Sequence, residues 1–227
     1  MITLQDVLKK PDPFNHIVQV CEDVLSQSKI LTHYIKDGLV NDEAIIVIAK
    51  PGLRQAVMFE LDGLDLDLQR YKNSGQIKFF DAEFLLSNLL FNRIIDKQAF
   101  HDFVTYPIQV TRSKFGKVRA FGEMVDVLWQ NNQEDSALQL EDLWNDLCMN
   151  EELMLLCTYL LDSLDPNDYE KSLEHICKCH THSIPINTLN TSSGPAMLEI
   201  FGTAWNKVMS KLTESKTFSH QMPQPRT

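Results

Sequence analysis

The chain has 227 residues, 44% of them apolar, and a formal net charge of −10. That length is enough for one substantial core and requires no second one. No apolar run approaches the roughly 18 residues of a membrane span, the N-terminus lacks a signal-peptide pattern, and five cysteines in a core this size read as reduced thiols, so a cytoplasmic protein is expected. Short apolar runs alternate with longer amphipathic ones, the pattern of an α/β protein with a mostly parallel central sheet and helices on both faces. A first strand is expected at 17–21 and a helix at about 23–38, where Gly38 suits a left-handed end. The second strand, 44–49, is wholly apolar, as a central parallel strand should be, and Pro51 opens the next helix. A turn at Asn73-Ser74-Gly75 leads to a third strand at 77–80. Asp96 caps a helix that buries Phe100, Phe103, Val104 and Ile108, and Pro107 should kink or end it. The fourth strand is 118–122. Ser136 and Gln139 read as a capping box for a helix burying Ala137, Leu140, Trp144 and Leu147. A fifth strand covers 153–159, and Asp165-Pro166 opens another helix. Asn187 to Pro195 reads as a linker, followed by a helix at about 196–212 and a disordered tail from Thr213.

Between Ala120 and Glu170 there are thirteen acidic residues and no Lys or Arg. Phosphate neutralisation needs the opposite sign, so nucleic-acid binding through this region is excluded. The stretch reads as a solvated acidic surface or as a docking face for a basic partner.

The slot after the first strand, Cys21 to Ser28, is where a nucleotide-binding α/β protein carries its phosphate loop. Laid over G-x-x-x-x-G-K-[ST], only Ser28 matches; both glycines and the lysine are missing, and Glu22 and Asp23 would repel phosphate. ATP hydrolysis is not expected, and no Ser-His-Asp or G-x-S-x-G arrangement is present, so the chain is read as non-enzymatic and without a cofactor.

Glu123 stands at the C-terminal end of the fourth strand, the edge where open α/β sheets bind ligands. With Met124, Trp129, Trp144 and Tyr159 it forms a candidate small-ligand site; equally, Glu123 caps a loop and the aromatics are core. Cys177, Cys179, His180 and His182 are metal-ligand types in a compressed spacing that does not suit a tetrahedral ion; Cys21, Cys148 or Cys157 completes a site only if the fold brings them close, and no metal is expected there. Leu198, Phe201, Trp205, Val208 and Leu212 form an a/d seam over two heptads; it packs on the chain's own core, or on a second copy or a signalling partner.

Six blocks in order resemble the MEDS (methanogen/methylotroph sensory) domain family: His16-Ile17, Gly38-Leu39, Arg119 to Met124, Leu140 to Trp144, Leu155 to Tyr159 and Ile176 to Pro185. The resemblance covers about 14–188 and implies a RecA/KaiC-like core with a degenerate phosphate loop. It further implies a sensory role toward small hydrocarbon-derived ligands, usually beside histidine-kinase or transcription-regulator modules. An acid that family members often carry after the proline matching Pro185 is Asn187 here. The reading is therefore a sensory domain at 14–190, followed at 191–227 by a linker, an amphipathic helix and a tail. It relays to a separate two-component-type partner or self-associates. A protein-interaction module without ligand, and a residual KaiC-like nucleotide-binding protein, stand beside it.

Overall fold

The computed structural model describes residues 8–161, 169–184 and 195–219. Six strands form one all-parallel sheet: β1 (His16–Cys21), β2 (Ala44–Ala49), β3 (Ile77–Asp81), β6 (Val118–Gly122), β7 (Met154–Leu160) and β8 (His182–Ile184), in the order β3-β2-β6-β7-β1-β8. A two-residue antiparallel pair, β4 (Leu90–Phe91) and β5 (Ile94–Ile95), stands apart.

Strand side chains alternate between two faces, and each face has its own core. On one, Ile17, Ile45, Val47, Ile77, Phe121 and Leu156 meet α1 (Val24–Val40), α2 (Pro51–Asp62) and α3 (Leu68–Ser74). On the other, Val18, Val20, Ile46, Ile48, Ala120, Leu155, Cys157 and Tyr159 meet the remaining helices. These are α4 (Ala82–Leu89), α5 (Lys97–Phe100), α6 (Tyr106–Phe115), α7 (Met124–Gln130), α8 (Glu134–Glu151), α9 (Tyr169–Cys179) and α10 (Pro195–Ser219). Burial on both faces is why β2 reads as an unbroken apolar run.

Several expectations are corrected in detail. The helix after Asp96 does not end at Pro107. Asp96 caps it as expected, accepting from the Gln98 and Ala99 amides. A π-helical turn, His101–Thr105, then joins α5 to α6. Pro107 has no N–H to donate and its ring crowds the carbonyl of Phe103; the wider turn absorbs both effects. The extra residue rotates Phe103 outward, to 42% exposure, while Phe100, Val104 and Ile108 stay buried. Helix α8 begins at Glu134, and Ser136 is no cap: its hydroxyl donates to the Arg93 carbonyl at 2.8 Å. Gly38 is not left-handed but lies inside α1, which runs on to Val40. Edge strand β8 was not expected; it pairs with β1 from Ile17 to Gln19.

Helix α10 continues to Ser219, so the tail expected from Thr213 is helical over its first seven residues. Its seam faces inward on this chain. Phe201, Trp205 and Val208 are buried in the core that contains α9, and Leu212 packs at its margin. The Lys207 ammonium donates to Glu170 of α9 at 2.6 Å. Within the chain, the stripe is covered by α9 and the neighbouring core. The Leu198 side chain, the Asp165-Pro166 helix start, the 187–194 linker and the tail beyond Ser219 lie outside the described residues.

Candidate functional site

At the carboxyl edge of the sheet, the slot after β1 is occupied by the chain itself. Asp23 caps α1: its Oδ1 accepts the Ser26 amide at 2.7 Å, and the Ser26 hydroxyl accepts the Asp23 amide at 3.1 Å. Those bonds to Ser26 hold the Asp23 carboxyl below the usual carboxylate range. The helix N-terminus that would cradle a phosphate is thus filled by a side-chain anion.

Glu123 stands at the carboxyl end of β6, two strands from β1 in the sheet, and is 1% exposed. Its backbone amide donates to Ile48, its Oε2 accepts the Lys50 amide at 2.6 Å, and its Oε1 lies 3.5 Å from the Lys50 ammonium. Burial raises its pKa, and the Lys50 contacts oppose the rise. Glu123 ties the ends of β2 and β6 together. The other residues of the expected small-ligand site do not gather round it as walls of an opening. Met124, Trp144 and Tyr159 are fully buried in the core, Trp129 packs at its margin, and Tyr159 is turned to Glu141. The neighbouring opening is a groove of about 280 Å³ between α4 and α7, lined by Glu83, Leu86, Val127 and Asn131 among others.

A second cluster lies deeper, beneath β1 and β7 where α8 and α9 meet the sheet. His16 opens β1, Cys157 is in the middle of β7, Glu141 is on the inward stripe of α8, and His180 follows the last turn of α9. All four are buried, and their ligand-type atoms lie within 4.8 Å of one another. His16 Nε2 is 3.4 Å from Cys157 Sγ and 3.5 Å from Glu141 Oε2; His180 Nε2 is 3.8 Å from Glu141 Oε1. The two imidazole centroids are 4.0 Å apart.

The surrounding groups fix how these side chains point. His180 Nδ1 is 2.6 Å from the Ile176 carbonyl oxygen, a contact that only a protonated Nδ1 can make as donor. His16 Nδ1 is 2.7 Å from Asn145 Oδ1 and donates in the same way. Burial lowers the pKa of each ring to about 4, so both are neutral near pH 7 and both Nε2 lone pairs face the cluster centre. The Tyr159 hydroxyl donates to Glu141 Oε1 at 2.8 Å. Burial raises the pKa of Glu141 and of the Cys157 thiol. Glu141 Oε2 and His180 Nε2 are buried without a hydrogen-bond partner.

Cys177, Cys179, His180 and His182, the compressed run of metal-ligand types, are not brought together as one cluster among the described residues. His180 turns inward to His16, Cys177 is buried, Cys179 is half-buried, and His182 contacts the Thr181 hydroxyl. Sequence reasoning missed the cluster because its members come from four elements. One signal was available: Glu141 occupies the same helical stripe as Ala137, Leu140 and Trp144, and an acid on a buried stripe calls for a partner.

The family model of the MEDS domain (methanogen/methylotroph, DcmR sensory domain) matches residues 15–181. The chain belongs to the MEDS family. Its role is accordingly a sensory one. Among solved structures it is similar to the flagellar accessory protein FlaH from Methanocaldococcus jannaschii, at 13% identity and a TM-score of 0.51, over 81% of this chain and 76% of that one. At that identity the likeness is one of fold, and it bears out the RecA/KaiC-like core expected from the sequence. No curated protein matches the MEDS chain. Among the described residues no helix is long and apolar enough to cross a membrane.

Proposed function

We propose that this MEDS chain is a non-catalytic sensor that binds a small hydrocarbon-derived ligand and relays its state to a separate signalling partner of the two-component type. The observation that carries the reading is the filled phosphate slot. In a RecA/KaiC-like core the chemistry of nucleotide hydrolysis depends on backbone amides and a lysine at that slot. Here Asp23 takes the amides for itself, and Glu22 adds a second acid. A fold that has given up phosphate binding but keeps its family's sensory role is left with binding and relay.

The test is calorimetric titration of the full chain with Mg-ATP and, separately, with dichloromethane and other one-carbon or halogenated compounds. Saturable binding of an organic compound, with Mg-ATP no tighter than millimolar, is the expected result. Micromolar Mg-ATP binding with turnover would replace this reading by a nucleotide enzyme. Absence of any small-molecule binding would replace it by an interaction module without ligand.

A further inference from the structure

We propose that His16, Glu141, Cys157 and His180 form a closed binding site for one divalent ion of the zinc class, which pins β1, β7, α8 and the end of α9 to one another. The inference stands on the cluster's geometry and does not depend on the sensory reading.

Four features support it. The donor set of two imidazoles, one carboxylate and one thiol is made of zinc ligands, and four protein ligands describe a structural site without an open position. A tetrahedral ion with bonds of about 2.0–2.3 Å separates its ligand atoms by about 3.3–3.6 Å; His16 Nε2 lies 3.4 Å from Cys157 Sγ and 3.5 Å from Glu141 Oε2, near that spacing, and the four ligand-type atoms all lie within 4.8 Å of one another. The outer partners are those that zinc-bound histidines use: each ring donates its far N–H to an oxygen, that of Asn145 or of Ile176, leaving Nε2 free for the ion. Tyr159 orients the carboxylate in the same manner. Finally, two buried polar atoms, Glu141 Oε2 and His180 Nε2, have no hydrogen-bond partner, and Oε2 lies 3.5 Å from His16 Nε2 within the cluster. Buried polar atoms in folded proteins are satisfied as a rule.

The charges balance. A carboxylate and a thiolate supply two negative charges against the ion's two positive ones, and the imidazoles are neutral. Binding forms the metal–sulfur, metal–oxygen and two metal–nitrogen bonds and releases the thiol proton to solvent, together with the carboxyl proton where one is present. The soft thiolate with two imidazoles favours zinc over magnesium or calcium, which prefer oxygen.

The experiment uses the full chain, purified without chelator from zinc-supplemented culture. Elemental analysis should find one zinc per chain, and X-ray absorption at the zinc edge should find one sulfur at about 2.3 Å with nitrogen and oxygen neighbours at about 2.0–2.2 Å. Cobalt substitution should give a thiolate-to-metal charge-transfer band that Cys157→Ser abolishes and the Cys177→Ser, Cys179→Ser double variant retains. Asn145→Ala, which touches only the outer partner of His16, should keep the one-to-one ratio and weaken zinc affinity about 10- to 100-fold. The absorption measurement needs no variant and so survives a misfolded one. Zinc far below one per chain after refolding with excess zinc, two sulfurs around the ion, or a band lost only in the Cys177, Cys179 variant would each overturn the assignment.

Discussion

Removing the Glu43 carboxylate should expose how much of the fold rests on a single buried cation. Arg119 lies in the middle of the sheet, on β6, and is 0% exposed. Its Nε donates to Glu43 Oε2, its Nη1 to the Leu8 and Tyr34 carbonyls at 3.1 and 3.4 Å, and its Nη2 to the Lys9 carbonyl at 3.0 Å. The guanidinium also sits 5.1 Å from the Tyr34 ring centroid. Breaking a buried ion pair from one side costs about 3–5 kcal/mol, because the remaining charge stays in low dielectric. Glu43→Ala leaves three carbonyl acceptors and the ring face, so the lower end, about 3 kcal/mol, is expected. With a urea slope near 3 kcal/mol per molar for a chain of this size, the unfolding midpoint should fall by about 1 M. Glu43→Gln keeps an oxygen acceptor without the charge and should fall between wild type and Glu43→Ala. The double change Glu43→Leu, Arg119→Met removes both charges and should come back to within about 1 kcal/mol of wild type. Equilibrium urea unfolding followed by tryptophan fluorescence and far-ultraviolet circular dichroism reads all four proteins. If Glu43→Ala costs less than about 1 kcal/mol, the pair behaves as a solvated one and the reasoning fails.

What the sequence disclosed and what it withheld divide along a physical line. The central strands β2 and β6 were legible because burial on both faces leaves an unbroken apolar signature in a few consecutive residues. The disabled phosphate slot was legible for the same reason, since the loop is one continuous segment. Cap signals misled where two candidates competed. Ser136 and Gln139 have the spacing of a capping box, yet Glu134 and Asp135 already favour the helix dipole one turn earlier, and Ser136 serves Arg93 instead. Gly38 looked like a helix end because glycine often is one. It is needed inside α1 because the helix passes close to Ile45 and Arg119, a reason that exists only once β2 and β6 are in place. The His16, Glu141, Cys157 and His180 cluster was hidden most completely. Its members are spread over 165 positions, and no spacing rule reaches across parallel crossovers. Cys157 and His180 were both visible as ligand types, but nothing in the sequence joins either of them to His16 or Glu141.

Three further perturbations separate local from tertiary effects. Gly38→Ala would ordinarily stabilise a helix interior by about 1 kcal/mol; here the new Cβ would lie 2.5 Å from Ile45 Cδ1 and 2.9 Å from Arg119 Cδ, so the measured sign should reverse to a net loss of about 1–2 kcal/mol. A stabilised Gly38→Ala would mean that α1 does not approach the sheet this closely. Asp23→Ala should cost about 1 kcal/mol at pH 7 in thermal unfolding. Because the folded Asp23 carboxyl titrates below its unfolded value, that contribution is complete above the ordinary aspartate range and fades as pH falls through the folded value, so the gap between wild type and variant should close in acid. A gap that widens in acid would refute the cap. The last perturbation concerns α10, where Phe201 is 3% and Trp205 8% exposed and their rings lie 5.8 Å apart. Truncating either large aromatic to alanine in a core costs about 3–5 kcal/mol, and Trp205, at the rim, should fall at the lower end. If the seam served a partner copy, its replacement would leave the monomer's unfolding unchanged and lower the mass in solution. If it serves α9, as Val208 at 0% exposure and the Lys207–Glu170 pair indicate, the outcome inverts. Trp205→Ala should then lower the unfolding midpoint while light scattering returns the same mass as wild type. A variant with unchanged stability and a halved mass would show that α10 is covered by another molecule and that its place against α9 is not the one it holds in solution.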